Sequence, residues 1–303
     1  MSISPDGNTI YMPTGEAAAG GIWKVIDAES GKVKASIDCG GIGPHNTVVS
    51  PDGSRVYLGP RYSNYLMVAS TSSNRVIRKI GPVGGIGGIR PFTINGAQNL
   101  AFITLSGFLG FQVGDINTGH ILYTVPVQGF PTRGGAPSSP SHGISLSPDE
   151  KEVYVIDSIS NYVHVFDVAG LPGSAPRQVA DIQLLGAMSH NESPCTYNCR
   201  KYGWLHHSRD GRYVFVGDSG DVIDTSLRKT AMTLPALANS RTDIEIDFQG
   251  GALLPAWAMN NRSSIGGRAP TRYATPISNS GSFSRVTPIH LGVNPPSVAP
   301  AFP

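Results

Sequence analysis

Charge is scarce in this sequence: Asp, Glu, Lys and Arg together make up 15% of its 303 residues, and the formal net charge is +2. No segment gathers Lys and Arg into a cluster, so the electrostatic footprint of a nucleic-acid binder is missing. Apolar runs are short as well, and none approaches the roughly 18 consecutive residues that a membrane-spanning helix needs. The opening Met1-Ser2-Ile3-Ser4-Pro5 has neither a basic n-region nor an apolar h-region, which excludes a secretory signal in those residues. No Gly-x-Ser-x-Gly elbow stands in a strand–helix context, which argues against covalent serine chemistry. The glycine-rich Gly84-Gly85-Ile86-Gly87-Gly88 is followed by no helix that could cradle a phosphate, and reads as a flexible loop. Cysteine is limited to Cys39, Cys195 and Cys199. A local disulfide between Cys195 and Cys199 is the first expectation, with two free thiols or a ligand-poor zinc site as alternatives. Cys39 reads as a small buried residue.

Glycine and proline, by contrast, are abundant at 37 and 24 residues, which suits many short strands joined by tight turns. One anchor recurs: Ser4-Pro5-Asp6-Gly7, Ser50-Pro51-Asp52-Gly53, a degenerate Ile94-Asn95-Gly96-Ala97, Ser147-Pro148-Asp149-Glu150 and Ser208-Arg209-Asp210-Gly211. In Pro-Asp-Gly the proline presets φ, the aspartate bonds its own backbone and the glycine accepts φ > 0. Alternating strands follow each anchor, such as Val153-Tyr154-Val155-Ile156, then Tyr162-Val163-His164-Val165-Phe166-Asp167. A third strand, such as Val33-Lys34-Ala35-Ser36-Ile37, comes after a turn, and short apolar strands such as Ile144-Ser145-Leu146 precede the later anchors. Units of four strands with a period of about 45 residues predict an all-β fold, a β-propeller of four-stranded antiparallel blades. Five or six blades fit. The first unit is expected to lack its innermost strand, and Thr242-Asp243-Ile244-Glu245-Ile246-Asp247-Phe248 to close the ring against it. Residues 1–250 form the propeller domain on this reading, and 251–303 an irregular tail rich in Pro, Ser and Gly.

The Ser-Pro-Asp-Gly anchors, the Ile26-Asp27 and Phe166-Asp167 strand ends, and the Ser30-Gly31-Lys32 and Thr118-Gly119 turns resemble the YVTN family of β-propeller repeat proteins over roughly residues 1–250. The resemblance implies further blades upstream, a possible truncation from seven blades, and a periplasmic or secreted location. It says little about activity, because propellers host many unrelated functions.

In such a blade, the loop leading into the innermost strand and the loop between the second and third strands open on one face. The lead-in loops carry His45-Asn46, Arg90, His142 and Trp204, and the other set brings Arg61-Tyr62, Ser106, Asp157-Ser158 and Asp218-Ser219. Aligned on the anchors, His45 and His142 share one repeat position, while Asn46, Arg90 and Trp204 share the next. Each of these has a plain structural reading: the histidines can bond loop carbonyls, and Asp-Ser is ordinary turn chemistry. His206-His207 lie inside a strand, so at most one aims at a site.

Two functions are expected. By analogy with propellers that open lactone rings, the protein is a lactone or ester hydrolase acting on a small molecule such as an acyl-homoserine lactone. A divalent cation, Ca or Zn, would then be held by His45, His142, Asp157 and Asp218. His45, His142 and Arg90 would be catalytic, and Asn46, Arg61, Tyr62 and Trp204 would bind substrate. The alternative is a non-catalytic scaffold that uses the same face to bind a protein or glycan, and a monomer is expected on either reading.

Overall fold

The computed structural model describes residues 1–84, 88–131, 139–188, 190–195 and 199–240, with the backbone of 248–249 and 252–253. Among them stand five four-stranded antiparallel sheets, the blades of a β-propeller. Blade one comprises β1 (Ser2–Ile3), β2 (Thr9–Pro13), β3 (Ile22–Asp27) and β4 (Val33–Asp38). Blade two has β5 (Pro44–Val49), β6 (Arg55–Pro60), β7 (Leu66–Ser70) and β8 (Arg75–Ile80). Blade three has β9 (Ile89–Ile94), β10 (Leu100–Leu105), β11 (Gly110–Asp115) and β12 (Ile121–Pro126). Blade four has β13 (Ile144–Leu146), β14 (Glu152–Asp157), β15 (Tyr162–Asp167) and β16 (Arg177–Gln183). Blade five has β17 (Trp204–His207), β18 (Tyr213–Gly217), β19 (Asp221–Asp224) and β20 (Lys229–Thr233). No helix of the described residues is long and apolar enough to cross a membrane.

Burial falls from the inside of each blade outward. Every residue of β9 and β10 is buried, whereas the outer β20 has no buried residue and β8 only Ile80. A blade that is apolar on both faces must be covered on both, so the cores lie between blades. Tyr11, Trp23 and Ile37 pack with Val56 and Leu58 between blades one and two. Tyr57 and Leu66 pack with Phe92 and Ile103, Phe111 with Ile144 and Val155, and Tyr154 and Ile156 with Leu205 and Val216. Cys39 is buried in the first of these cores, where burial pushes its thiol up to about 12 and leaves it unreactive.

The anchors work through one repeated set of bonds. Ser50 Oγ donates to Asp52 Oδ1 at 2.7 Å and accepts the Arg55 amide at 2.9 Å. Ser4, Ser147 and Ser208 do the same with Asp6 and Thr9, Asp149 and Glu152, and Asp210 and Tyr213. These hydroxyl and amide donors hold all four aspartates below the usual carboxylate range, outweighing partial burial at Asp52 and Asp149.

Three sequence expectations need correction. Blade one does have an innermost strand, because Ser2 and Ile3 pair with Tyr11 and Ile10. The third anchor is Asn95-Gly96-Ala97-Gln98, one residue later than the sequence alignment placed it. Gln98 takes the positive φ of +55° and its amide bonds Asn95 O at 3.0 Å, as Gly53 does with Ser50. Asn95 Oδ1 replaces the serine hydroxyl by accepting the Asn99 and Leu100 amides. The third correction concerns Phe248, which pairs with Leu253 in a separate two-stranded sheet. The remainder of the expected closing strand, residues 242–247, lies outside the described residues, as do 85–87 and, apart from 252–253, the tail from 251.

His206 and His207 are both buried in β17. Burial, and secondarily the neighbouring His206, pushes the His207 pKa down to about 3, so the folded protein keeps this ring neutral. The unfolded chain binds a proton there near pH 6.5, and below that pH the folded state loses ground. His207 therefore subtracts roughly 1.4 kcal/mol of stability per pH unit between about pH 6.5 and 3. In His207→Leu that share of the acid slope is expected to vanish, as denaturant unfolding at pH 7, 5 and 4 would register.

Candidate functional site

The lead-in loops and the loops between second and third strands are tied together in successive blades. Arg61 N donates to Gly43 O at 2.7 Å, Ser106 N to Gly88 O at 3.2 Å, and Ser158 N to Pro140 O at 3.1 Å. Both loop sets therefore open on one face, as the strand order requires.

The register of the inner strands sharpens the alignment. Val49 pairs with Val56, Ile94 with Ala101, Leu146 with Val153 and His207 with Val214. Counting back from those equivalent residues, His45, Arg90 and His142 occupy one repeat position, and Asn46 and Trp204 the next. Arg90 thus belongs with the two histidines. Three blades present a nitrogen base or cation at the same level of the inner strand.

The imidazoles of His45 and His142 come from blades two and four, yet their ring centroids lie 6.3 Å apart. Asn46 Nδ2 lies 2.8 Å from His45 Nδ1, and Glu16 Oε2 lies 3.5 Å from His45 Nε2. Glu16 also takes Arg61 Nη1 at 2.5 Å. Gly43 makes this approach possible: at φ +74°, a Cβ there would sit 2.9 Å from both Glu16 O and the Tyr62 ring. Arg90 is 4% exposed and donates from Nε to Ser106 Oγ at 2.7 Å. Burial, followed by the nearby Arg61 charge, pushes the Arg90 pKa down to about 10, and Glu16 and the tyrosines Tyr202 and Tyr62 offset this in part. His142 is packed by Trp204 at 4.2 Å and Tyr202 at 5.1 Å between ring centroids. Tyr62, exposed, lies with its ring 5.3 Å from the Arg61 guanidinium carbon at the outer edge.

All five blades contribute, Glu16 from the β2–β3 loop of the first and Tyr202 from just before β17 of the fifth. Those two residues escaped the sequence reading. Glu16 was discoverable, because its loop is the blade-one equivalent of the loop carrying Arg61. Tyr202 had no signal beyond lying two residues from Trp204.

Asp157 and Asp218 are placed on this face but serve the backbone. Asp157 Oδ1 accepts the Ile159 and Ser160 amides, and its Oδ2 lies 3.5 Å from His164 Nε2. Burial alone would raise this carboxyl, yet those bonds hold it below its ordinary value. Asp218, in the left-handed region at φ +69°, accepts the Tyr202 and Gly203 amides at 3.1 and 3.2 Å through Oδ2. It thereby fixes the loop that delivers Tyr202 and Trp204. Among the described residues no group of three or more His, Cys, Asp or Glu side chains could hold a metal ion. Both carboxylates of the expected Ca or Zn ligand set thus bond their own turns, Asp157 through Oδ1 and Asp218 through Oδ2, while Asp218 Oδ1 is buried with no hydrogen-bond partner. Cys195 and Cys199 form a disulfide with Cα atoms 5.5 Å apart, and the residues between them lie outside the described ones.

No family model matches the chain, and no curated protein matches it. Among solved structures it is similar to hydrazine synthase of Kuenenia stuttgartiensis, with a TM-score of 0.54 and 19% identity over 79% of this chain and 67% of that one. At that identity the likeness shows the fold alone. It supports the propeller, and no comparison supports the YVTN family in particular.

Proposed function

We propose that the protein is a small-molecule-binding propeller whose five-blade mouth recognises an anion, a carboxylate or phosphate attached to an apolar or aromatic body. One observation carries this reading. Arg90 and Arg61 are two guanidinium groups close enough to perturb one another, with Glu16 as the carboxylate set against them, and Arg90 is almost fully buried. Burying a guanidinium beside a like charge is unfavourable until an anion neutralises it. Its planar donors match carboxylate and phosphate oxygens. Tyr62, Tyr202 and Trp204 supply ring surface for the rest of the ligand. Titration calorimetry with a panel of aromatic carboxylates, phosphomonoesters and their neutral amides or alcohols tests it. Saturable binding of the anions and none of the neutral analogues is expected; equal binding of both would refute the charge reading.

A second reading, hydrolysis of a lactone or ester at the same mouth, is favoured by the contact between Glu16 and His45. A carboxylate on Nε2 orients the imidazole, and a second imidazole stands 6.3 Å away between ring centroids. His142 would draw a proton from water beside the His45 ring that Glu16 and Asn46 hold in place, and Arg90 would face the developing oxyanion. Opening of acyl-homoserine lactones, followed by pH-stat, is the assay. His142→Ala is expected to lower turnover about 100-fold or more with unchanged unfolding. Absence of turnover across the lactone and ester panel would leave binding as the whole function.

A further inference from the structure

The mouth holds two opposite charges that stand near each other and are not paired. Glu16 spends Oε2 on Arg61 Nη1 and His45 Nε2, and Arg90 spends Nε on Ser106 Oγ. Among the described residues, Glu16 Oε1 and the two Nη nitrogens of Arg90 make no hydrogen bond, and no ion pair joins the two groups. Arg61 Nε and Asn46 Oδ1 are sealed inside the protein without partners, whereas these three atoms are not. A ligand can therefore reach them.

Neighbouring loops bring these groups together. The loop that leads to Arg90 lies against the backbone of Arg61, where a Cβ on Gly88 would fall 1.4 Å from Arg61 O. Arg61 in turn carries Glu16. Arg90 thus lies within electrostatic reach of Glu16 as well as Arg61, and of the hydroxyls of Tyr202 and Tyr62. On the other side, the His45 ring that touches Glu16 stands 6.3 Å from His142, whose ring is 5.1 Å from that of Tyr202.

A simple anion satisfies only half of this arrangement. Its carboxylate matches the open edge of the Arg90 guanidinium, but Glu16 repels it, and the free Glu16 oxygen calls for a donor. An ammonium on the carbon beside the carboxylate turns that repulsion into a second ion pair. The two charges of an α-amino acid are held one carbon apart, so one small head group can meet both. Tyr62, exposed at the outer edge, and Tyr202 border the same space and suit a large apolar or aromatic side chain.

We propose that the ligand of the mouth is an α-amino acid with a large apolar or aromatic side chain, its carboxylate on Arg90 and its ammonium on Glu16 Oε1. This rests on the anion reading of the mouth and narrows it. Arg90 sets the requirement for an anion, and Glu16 selects those anions that carry a donor beside the carboxylate.

The test uses the full chain and probes of one shape: L-phenylalanine, 3-phenylpropanoate, which lacks the ammonium, and 2-phenylethylamine, which lacks the carboxylate. Calorimetry is expected to show saturable binding of L-phenylalanine, about tenfold or more tighter than that of 3-phenylpropanoate, and no binding of the amine. In Glu16→Gln, which keeps an acceptor for Arg61, the two carboxylates are expected to bind alike, because phenylalanine loses its advantage while 3-phenylpropanoate does not weaken. Arg90→Met is expected to lose both. If 3-phenylpropanoate binds the parent as tightly as phenylalanine does, the proposal is overturned and the anion reading stands. A preference for phenylalanine that survives in Glu16→Gln overturns it too. Binding of neither carboxylate, or of the amine as tightly as of phenylalanine, overturns both readings. Should Glu16→Gln fail to fold, the order of the probes on the parent protein decides alone.

Discussion

Replacing Arg90 with methionine is expected to make the ligand-free protein more stable and to remove most of its affinity for an anion. The two effects share one cause. Arg90 is 4% exposed, its pKa is pushed down to about 10 by burial and by Arg61, and its Nε is held by Ser106 rather than by a carboxylate. With the folded value below the ordinary 12.5, the protein holds this proton less firmly than the unfolded chain does. At neutral pH the charged group therefore works against folding. Methionine fills similar space without charge, and a gain of roughly 1–3 kcal/mol in unfolding free energy is expected. Loss of a buried guanidinium from an anion site is expected to remove about 2–4 kcal/mol of binding, on the order of 30- to 1000-fold. Denaturant unfolding and calorimetry on the same preparation give both numbers. A variant that is less stable and binds as well as the parent would show Arg90 to be a structural residue.

The second large effect is expected at Asp218. Its carboxylate takes two buried amides, those of Tyr202 and Gly203, and its own backbone lies at φ +69°. Asp218→Ala removes the one oxygen that accepts both amides and places an alanine in a region it adopts reluctantly. A loss of about 2–4 kcal/mol is expected. Asp218→Asn keeps an acceptor oxygen and tolerates the left-handed backbone, so it should lose much less. Because this loop carries the rings that pack on His142, the alanine variant is also expected to broaden the His142 imidazole resonances, and the asparagine variant to leave them sharp. Similar stability for the two variants would mean that the loop is fixed by other contacts, such as those of Lys201 Nζ with Asp218 O and Ala238 O.

The blades were legible in the sequence because the anchor chemistry is local. Ser, Asp and a residue at positive φ satisfy one another within a few positions, and the alternating strands follow at fixed distance. The third anchor was misplaced by one residue because Asn95 does by its amide oxygen what serine does elsewhere, and no serine marks the register. That single slip moved Arg90 out of line with His45 and His142. Convergence of those two histidines followed from the repeat, since equivalent positions of a propeller face one axis. The partners that decide their chemistry did not follow. Glu16 arrives from a loop in another blade, and whether Asp157 faces a metal or its own turn depends on hydrogen bonds that spacing does not encode.

Glu150 shows what a departure from the repeat can achieve. It holds the positive φ (+60°) that glycine takes in the first, second and fifth anchors, and its carboxylate accepts the Gly96 amide of the preceding blade at 2.7 Å. Trp23 with Thr47, Ser141 with Gly110, and Arg228 with Glu152 are further unlike pairs across neighbouring blades. Among the described residues each such pair occurs at one seam, so the modules are not interchangeable: a gene with the third and fourth units transposed would separate Glu150 from Gly96, Ser141 from Gly110 and Arg228 from Glu152. Assembly order is written into these joints, and a recombined protein would have to inherit neighbouring modules together.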